Sequence, residues 1–283
     1  MPDLTVISYG GGTQSSVLML MAAKGLIEPM PDAAIFADPG NERPSTYRRV
    51  AWMTDQVPFP LIQVSALIPI TRAVAEATDH RGRPYWPAVP MHTIRDGSKE
   101  GMARRICTPR WKIEPIITVI RSLLGVWPRK HVPRGITVEQ WIGLSHDEVD
   151  RIKPARKPWL VSRWPLIDLM MDRQDCEDWW AENAPPDAPP LGKSSCVLCP
   201  LHRPKDWAEL AREVPEMVEA AAEAEASGKA AEKARQRDKG DDSYLHRRRV
   251  PLLQAVAEDT RQADMAQDLF LAFGEECEGY CGV

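Results

Sequence analysis

Apolar and polar positions in the first third of the chain follow two alternating periods. Leu4-Thr5-Val6-Ile7-Ser8 is a short β-rich run that meets Gly10-Gly11-Gly12 at once, and Gln14 to Ala23 then carries Val17, Leu18, Leu20 and Met21 at helical spacing. Ala33-Ala34-Ile35-Phe36-Ala37 predicts a second strand ending at Asp38-Pro39-Gly40, and Pro44 to Gln56 a helix with proline in its first turn. Leu61-Ile62-Gln63-Val64 predicts a third strand. Strand, helix, strand, helix, strand implies βαβ units on a parallel, doubly wound α/β sheet.

Further along, prolines and glycines break the period from 78 to 106, where Arg81, Arg83, Arg95, Arg104 and Arg105 make the stretch basic; it reads as a long loop, a candidate substrate lid. Lys112 to Leu124 predicts a helix, Val138 to Leu144 a strand, Trp159-Leu160-Val161 and Leu166 to Leu169 a sheet-edge segment, and Asp172 to Glu182 a helix capped by Asp172. The proline-rich stretch 184–190 marks a boundary. The predicted organisation is an α/β domain over 1–200 and a helical C-terminal region over 201–283, in which the Ala, Glu and Lys of 216–235 favour a solvated helix. Asp238 to Ser243 reads as a polar break.

Composition narrows the class. With 43% apolar and 27% charged residues the chain can build a packed core, and its apolar runs are too short to cross a membrane. Met1 to Gly10 has no basic segment leading a long apolar one, which predicts a cytoplasmic protein. A formal charge of −4 excludes a generally basic nucleic-acid binder but leaves room for local patches, among them Arg247-Arg248-Arg249, which reads first as a solvated face. Six cysteines are too few for a disulfide scaffold and read as metal ligands, redox groups or core. Trp86, Trp111 and Trp207 read as packing residues rather than base-stacking platforms. His202, three residues after Cys199, reads as peripheral to a metal site. No serine-hydrolase or zincin motif is present.

Between the first strand and helix lies Ser8-Tyr9-Gly10-Gly11-Gly12-Thr13-Gln14-Ser15-Ser16. Glycines let backbone approach a ligand, the helix start offers unpaired N–H groups and a positive dipole end, and the hydroxyls add donors, a combination suited to phosphate. The Walker pattern fails for want of Gly-Lys-Ser/Thr, and the dinucleotide pattern fails at Ser15. Cys196-Val197-Leu198-Cys199 is a CxxC, open on its own to zinc, an iron–sulfur cluster or a dithiol pair.

Ser8 to Ser16 resembles the PP-loop of the adenine nucleotide alpha-hydrolase-like superfamily. Gly12-Thr13-Gln14-Ser15 is most similar to the phosphoadenosine phosphosulfate (PAPS) reductase branch, which often carries Gln where the ATP pyrophosphatases carry Asp. Ala37-Asp38-Pro39-Gly40-Asn41-Glu42, with Pro44 and Tyr47, resembles that branch's Asp-Thr-Gly segment, with Pro39 in place of Thr. Gly143-Leu144-Ser145-His146-Asp147-Glu148 and Arg151 resemble its Gly-Ile-Arg-x-x-Glu-Ser-x-x-Arg signature, with Ser145 in place of Arg, and Trp164-Pro165-Leu166-Ile167-Asp168 resembles Tyr-Pro-Leu-x-Asp-Trp. These matches run in order over residues 4 to 205.

The resemblance implies chemistry at the α-phosphate or sulfate of an adenine nucleotide: ATP, or PAPS or its 5′-phosphosulfate analogue APS. ATP users adenylate an oxygen and release pyrophosphate, after which a sulfur nucleophile displaces AMP; the reductases attack the sulfur of the sulfonucleotide. Ser8, Gly10, Gly11, Gly12, Thr13, Gln14, Ser15 and Ser16 would then cradle the anionic end. Asp38 would hold Mg2+ or a ribose hydroxyl, and Arg151 would neutralise phosphate charge. Iron–sulfur members, including sulfonucleotide reductases and DNA phosphorothioation proteins, imply a [4Fe-4S] cluster on Cys107, Cys176, Cys196 and Cys199. The reductases use an adjacent Cys-Cys pair that this chain lacks. The three-cysteine version seen in tRNA-thiolating relatives would use Cys107, Cys196 and Cys199, leaving Cys176 buried. The tail cysteines Cys277 and Cys281 echo the mobile catalytic Glu-Cys-Gly segment of the reductases and would carry a persulfide or thiosulfonate. Implied partners are an adenine nucleotide, a tRNA or DNA acceptor met by the basic loop Arg81 to Arg110 and Arg247 to Arg249, and a sulfur donor protein or thiol reductant. The alternatives are a PAPS/APS reductase producing sulfite and a nucleotide-binding sensor without turnover.

Overall fold

A computed structural model describes residues 2–95, 98–127, 130–235 and 242–275, with side chains to residue 266 apart from that of Arg95. In chain order the elements are β1 (Leu4–Tyr9), α1 (Thr13–Ala23), β2 (Ala33–Asp38), α2 (Pro44–Gln56), β3 (Leu61–Ser65), α3 (Ile70–Ala75), β4 (His92–Arg95), β5 (Lys99–Met102), a π-helical turn Thr108–Ile113 and α4 (Glu114–Leu123). There follow β6 (Val138–Ile142), a 3-10 turn His146–Arg151, β7 (Leu160–Arg163), α5 (Pro165–Asp168), α6 (Arg173–Asn183), α7 (Pro204–Glu213), α8 (Pro215–Ala234), β8 (Asp242–Tyr244) and α9 (Leu252–Glu275). The chain divides into two units, Met1–Leu67 with Thr108–Cys196, and Ile68–Cys107 with Val197–Val283.

The first unit is the doubly wound parallel sheet that the periodicity predicts. Its strand order is β3-β2-β1-β6-β7, every pairing parallel. Successive residues of β1 serve opposite faces. Ile7 packs with Val17, Leu18, Val50 and Met53 of α1 and α2, while Val6 packs with Ile116 and Ile120 of α4. Helix α1 is buried from Val17 through Ala22, so it is apolar on every side, as a helix sealed between sheet and neighbours must be. Asp172 caps α6 as expected, its carboxylate accepting the Asp175 N–H at 2.9 Å. The connection from β3 to β6 reverses the strand order, so the loops after β1 and β6 diverge at the carboxyl ends of adjacent strands, the usual ligand crevice of this architecture.

The second unit corrects three expectations. Residues 78–106 are not all loop: β4 and β5 form an antiparallel pair, and β4 also pairs with β8, giving the sheet order β5-β4-β8. Residues 68–107 therefore group with the C-terminal region, and the division at residue 200 is replaced by this discontinuous one. Helix α8 is not solvated all round: Val218, Ala221, Ala224, Glu225 and Gly228 form a buried stripe. A Cβ on Gly228 would lie 2.2 Å from the Val74 carbonyl and 2.3 Å from the Trp86 ring, so only glycine admits α3 this closely. Buried Glu225 accepts the Leu245 N–H at 2.6 Å, and Lys229 sits 3.6 Å above the Tyr244 ring. Burial raises the Glu225 pKa, against the pull of that N–H and of Lys229. His246, wholly buried, accepts the Arg248 N–H on Nδ1, so Nε2 carries the proton donated to Asp259 at 2.9 Å. Arg248 pairs with Asp259 and Glu258, and Arg249 with Glu100. Two of the three arginines at 247–249 are thus committed inside the unit. Residues 238–241 of the expected polar break lie outside the described residues.

Candidate nucleotide site

The turn from β1 into α1 is shaped by its own side chains. Gly11 has φ +69°, the left-handed region, and a Cβ there would lie 2.7 Å from Thr46 Cγ2; the position requires glycine twice over. The Ser15 hydroxyl accepts the N–H groups of Gly10 at 3.3 Å and Gly12 at 3.2 Å, which folds the loop back onto the first turn of α1. The Gly12 carbonyl accepts the Ser16 N–H at 2.9 Å and opens the helix. Ser16 and Tyr9 share a hydrogen bond at 3.2 Å, with the phenol pushed up to about 12 by burial. Thr13, 2% exposed, holds its hydroxyl buried without a hydrogen-bond partner at the helix start. A buried unsatisfied hydroxyl beside a row of unpaired helix N–H groups is an invitation to an anionic ligand.

The loop after β6 closes over this helix start. A Cβ on Gly143 would come 2.7 Å from Ser15 Cα and 2.8 Å from Ser15 N, so glycine lets the two backbones touch. Gln14 donates from Nε2 to Ser145 Oγ at 3.3 Å and Glu148 Oε2 at 3.4 Å, and Glu148 pairs with Arg151. Ser8 is used within the sheet, its hydroxyl accepting from Gln140 Nε2. The residues from the first and third motifs thus meet at the strand-order reversal. Asp38 ends β2, and its Oδ1 accepts the Gly40 N–H at 2.7 Å and the Tyr47 hydroxyl at 2.8 Å. Burial, together with nearby Asp38 and Glu42, raises the Tyr47 phenol far above its ordinary value, so it remains a donor.

Sequence reading missed the cation at the base of the loop. Arg49 on α2, 2% exposed, donates from Nε to the Gly11 carbonyl at 2.8 Å and from Nη1 to the Pro190 carbonyl at 3.1 Å. Among the described residues no carboxylate pairs with it, and burial lowers its pKa without neutralising it. Its signal was available: Thr46, Arg49, Val50 and Met53 form the buried stripe of α2, and an arginine on such a stripe needs a reason. Glu42 was also underread. Wholly buried, it accepts from Lys112 Nζ at 2.9 Å and from the Ser194 hydroxyl at 3.4 Å. The segment 190–194 runs beside the loop, where a Cβ on Gly12 would lie 3.5 Å from Ser194 Cβ.

Cys176 and Cys196, both in the first unit, have different surroundings. Cys176 lies in the apolar core with Val17, Met21 and Trp180, wholly buried, its thiol pushed up to about 12 first by burial and then by surrounding acids. Cys196 pairs with Glu42 in an isolated antiparallel bridge and accepts from Asn41 Nδ2 at 4.0 Å. Cys107, Cys196 and Cys199 are each half-buried. Among the described residues no three His, Cys, Asp or Glu side chains are gathered to hold a metal ion. Four-cysteine ligation therefore does not fit this arrangement at Cys176. His202 is buried, edge-on to Trp207, with ring centroids 4.9 Å apart. Trp111 and Trp207 are wholly buried, as packing residues. Cys277 and Cys281 lie outside the described residues.

No protein-family model matches the chain. An uncharacterized nin-region protein of Escherichia phage lambda, ORF290, is 23% identical over 209 residues, 69% of this chain and 65% of the phage protein. The chain thus spans slightly less than two thirds of that relative. Among solved structures, the phosphoadenylyl-sulfate (PAPS) reductase of Candida auris in its phosphate complex is 15% identical, covering 66% of this chain and 76% of that one, with a TM-score of 0.42. At that level neither activity nor substrate passes to this chain. No helix among the described residues is long and apolar enough to cross a membrane.

Proposed function

We propose that the chain is a PAPS-reductase-like PP-loop enzyme. It binds ATP or a related adenine nucleotide (PAPS or APS) with the anionic end on Gly10 to Ser16, and transfers sulfur to a nucleic acid or nucleotide. The observation that carries the reading is the glycine turn at the strand-order reversal, with the unsatisfied Thr13 hydroxyl at its helix start and the Arg49 cation bound to its Gly11 carbonyl. On this reading the first N–H groups of α1 and the Thr13 hydroxyl bind phosphate or sulfate oxygens. Asp38 offers a carboxylate to Mg2+ or a ribose hydroxyl, and Arg151 faces developing phosphate charge. The tail cysteines Cys277 and Cys281 carry sulfur from a donor protein or thiol. The test is calorimetric titration with Mg2+–ATP, PAPS and APS, followed by pyrophosphate or sulfite release. Micromolar binding of one nucleotide, weakened by Thr13→Val, supports the reading; folded protein that binds none of the three overturns it.

The iron–sulfur cluster belongs to the proposal on sequence alone, through Cys107, Cys196 and Cys199, with Cys176 left out by its burial. Iron and acid-labile sulfide in anaerobically purified protein support it; zinc, or neither metal, removes it.

A second reading, nucleotide binding without turnover, is favoured by one observation: Asp38 and Arg151, two of the four catalytic candidates, are both engaged, with Gly40 and Tyr47 and with Glu148. Nucleotide binding with no product released would select it.

A further inference from the structure

The α/β unit carries a second charged surface, at the edge of its sheet opposite the glycine loop. Strands β6 and β7 are parallel and in register, Val138 beside Leu160, and the Val138 N–H donates to the Trp159 carbonyl at 2.8 Å. The segments that enter the two strands therefore lie side by side, and Ile136, Ala155 and Trp159 anchor both to one apolar cluster. Above that anchor the chemistry has one sign. Residues 115–138 contain no Asp or Glu, and neither do residues 151–167. Lys130 and Arg134 on the first segment and Lys153, Arg156 and Lys157 on the second are exposed, and none makes an ion pair among the described residues. Asp3, at the entry to β1, accepts the Thr137 N–H on its carboxylate at 2.8 Å.

At the same edge stands Trp127, 78% exposed. It is not a loose end. Arg121, in the last turn of α4, donates to the carbonyls of Trp127 and Lys130 at 3.1 and 2.6 Å and so ties both residues to the end of α4. An exposed tryptophan is costly to keep in water, and five unpaired cations repel one another. Together they match a polymer with negative charges at regular intervals and flat faces between them.

We infer that this edge is a docking surface for single-stranded nucleic acid. Lys130, Arg134, Lys153, Arg156 and Lys157 meet the phosphates, and an unpaired base stacks on Trp127. The surface is independent of the nucleotide reading, because the glycine loop lies at the carboxyl ends of the strands and this patch at their amino ends. The net charge of −4 makes the contrast sharper, since the chain as a whole repels a polyanion while this edge attracts one.

Fluorescence anisotropy with a labelled oligothymidylate tests it on the full chain. Binding should weaken by more than tenfold between about 50 and 200 mM salt. Lys153→Glu, Arg156→Glu and Lys157→Glu together should cost more than about tenfold and lower the slope of log affinity against log salt by about one per lost phosphate contact. Trp127→Ala should cost about tenfold, and Trp127→Phe should restore most of it. Lys205→Glu, exposed on α7 in the other unit, should change nothing, and ATP affinity should be unmoved in every variant. If the triple variant unfolds, the Trp127 pair carries the test alone. No binding at low salt, binding indifferent to these substitutions, or variants that lose affinity for anionic phospholipid vesicles while oligothymidylate binding is unchanged would each overturn the inference.

Discussion

Thr13→Val separates a structural hydroxyl from a ligand-binding one. The Thr13 side chain is 2% exposed and its oxygen has no hydrogen-bond partner, so in the empty protein it pays desolvation for nothing in return. Valine keeps the β-branched shape, and its helix propensity is close to that of threonine. Leaving a buried hydroxyl unsatisfied costs ~1–3 kcal/mol, so the variant should gain about 1 kcal/mol, or about 2 °C in melting temperature for a chain of this size. With nucleotide the sign reverses. A hydrogen bond to a charged oxygen is worth ~1.5–3 kcal/mol, so affinity should fall by about 10- to 150-fold. Thermal melting with and without saturating Mg2+–ATP reads both effects, since ligand present at about 100 times its Kd adds ~2.7 kcal/mol to the wild type and less to the variant. Thr13→Ser, which keeps the hydroxyl, should retain affinity. A lower melting temperature of the empty variant would refute the unsatisfied hydroxyl, and unchanged ATP affinity would refute its place in the site.

Gly143→Ala should destabilise the protein by ~2 kcal/mol or more and impair nucleotide binding, because the new methyl would sit 2.7 Å from the Ser15 backbone; denaturant titration and calorimetry read the two effects. Cys176 should resist iodoacetamide in the folded protein at pH 8, where a thiol pushed up to about 12 holds almost no thiolate. Cys176→Ser should cost ~1–3 kcal/mol without altering iron content; rapid alkylation would contradict its burial. Asp79 is 6% exposed; burial would raise its pKa, but Arg83 and the N–H groups of Arg81 and Arg83 outweigh it and bring the carboxyl down to about 2. A depressed carboxyl stabilises the fold above its unfolded pKa near 4 and loses that contribution as pH falls through 2. Asp79→Asn should therefore flatten acid unfolding over that window by at most about 2 kcal/mol, and an unchanged profile would exclude the pairing.

What was readable in the sequence was local. The glycine turn, the alternation from β1 to β3, and the Asp172 cap each depend on neighbours within a few residues. So do the bounds of α2, which run from Pro44 to Gln56 as expected. What escaped was decided at distance. Strands β4 and β5 are only four residues long, too short for a period to show, and β4 owes its place partly to β8, more than a hundred residues later. Arg49 looks like an ordinary surface cation until Gly11 and Pro190 close on it. Cys176 counts as a ligand by residue type and as core only once Val17 and Trp180 surround it. The Asp38 carboxylate caps its own turn at the end of β2, a contact made within two residues.

The pairing of β4 with β8 sets a timetable for the growing chain. The β4–β5 hairpin leaves the ribosome before the second half of the sheet unit exists, and its third strand follows on the order of ten seconds later at ordinary rates of synthesis. Until then β4 offers an open edge, the kind that invites pairing with another copy. Any truncation near residue 200 makes that interval permanent.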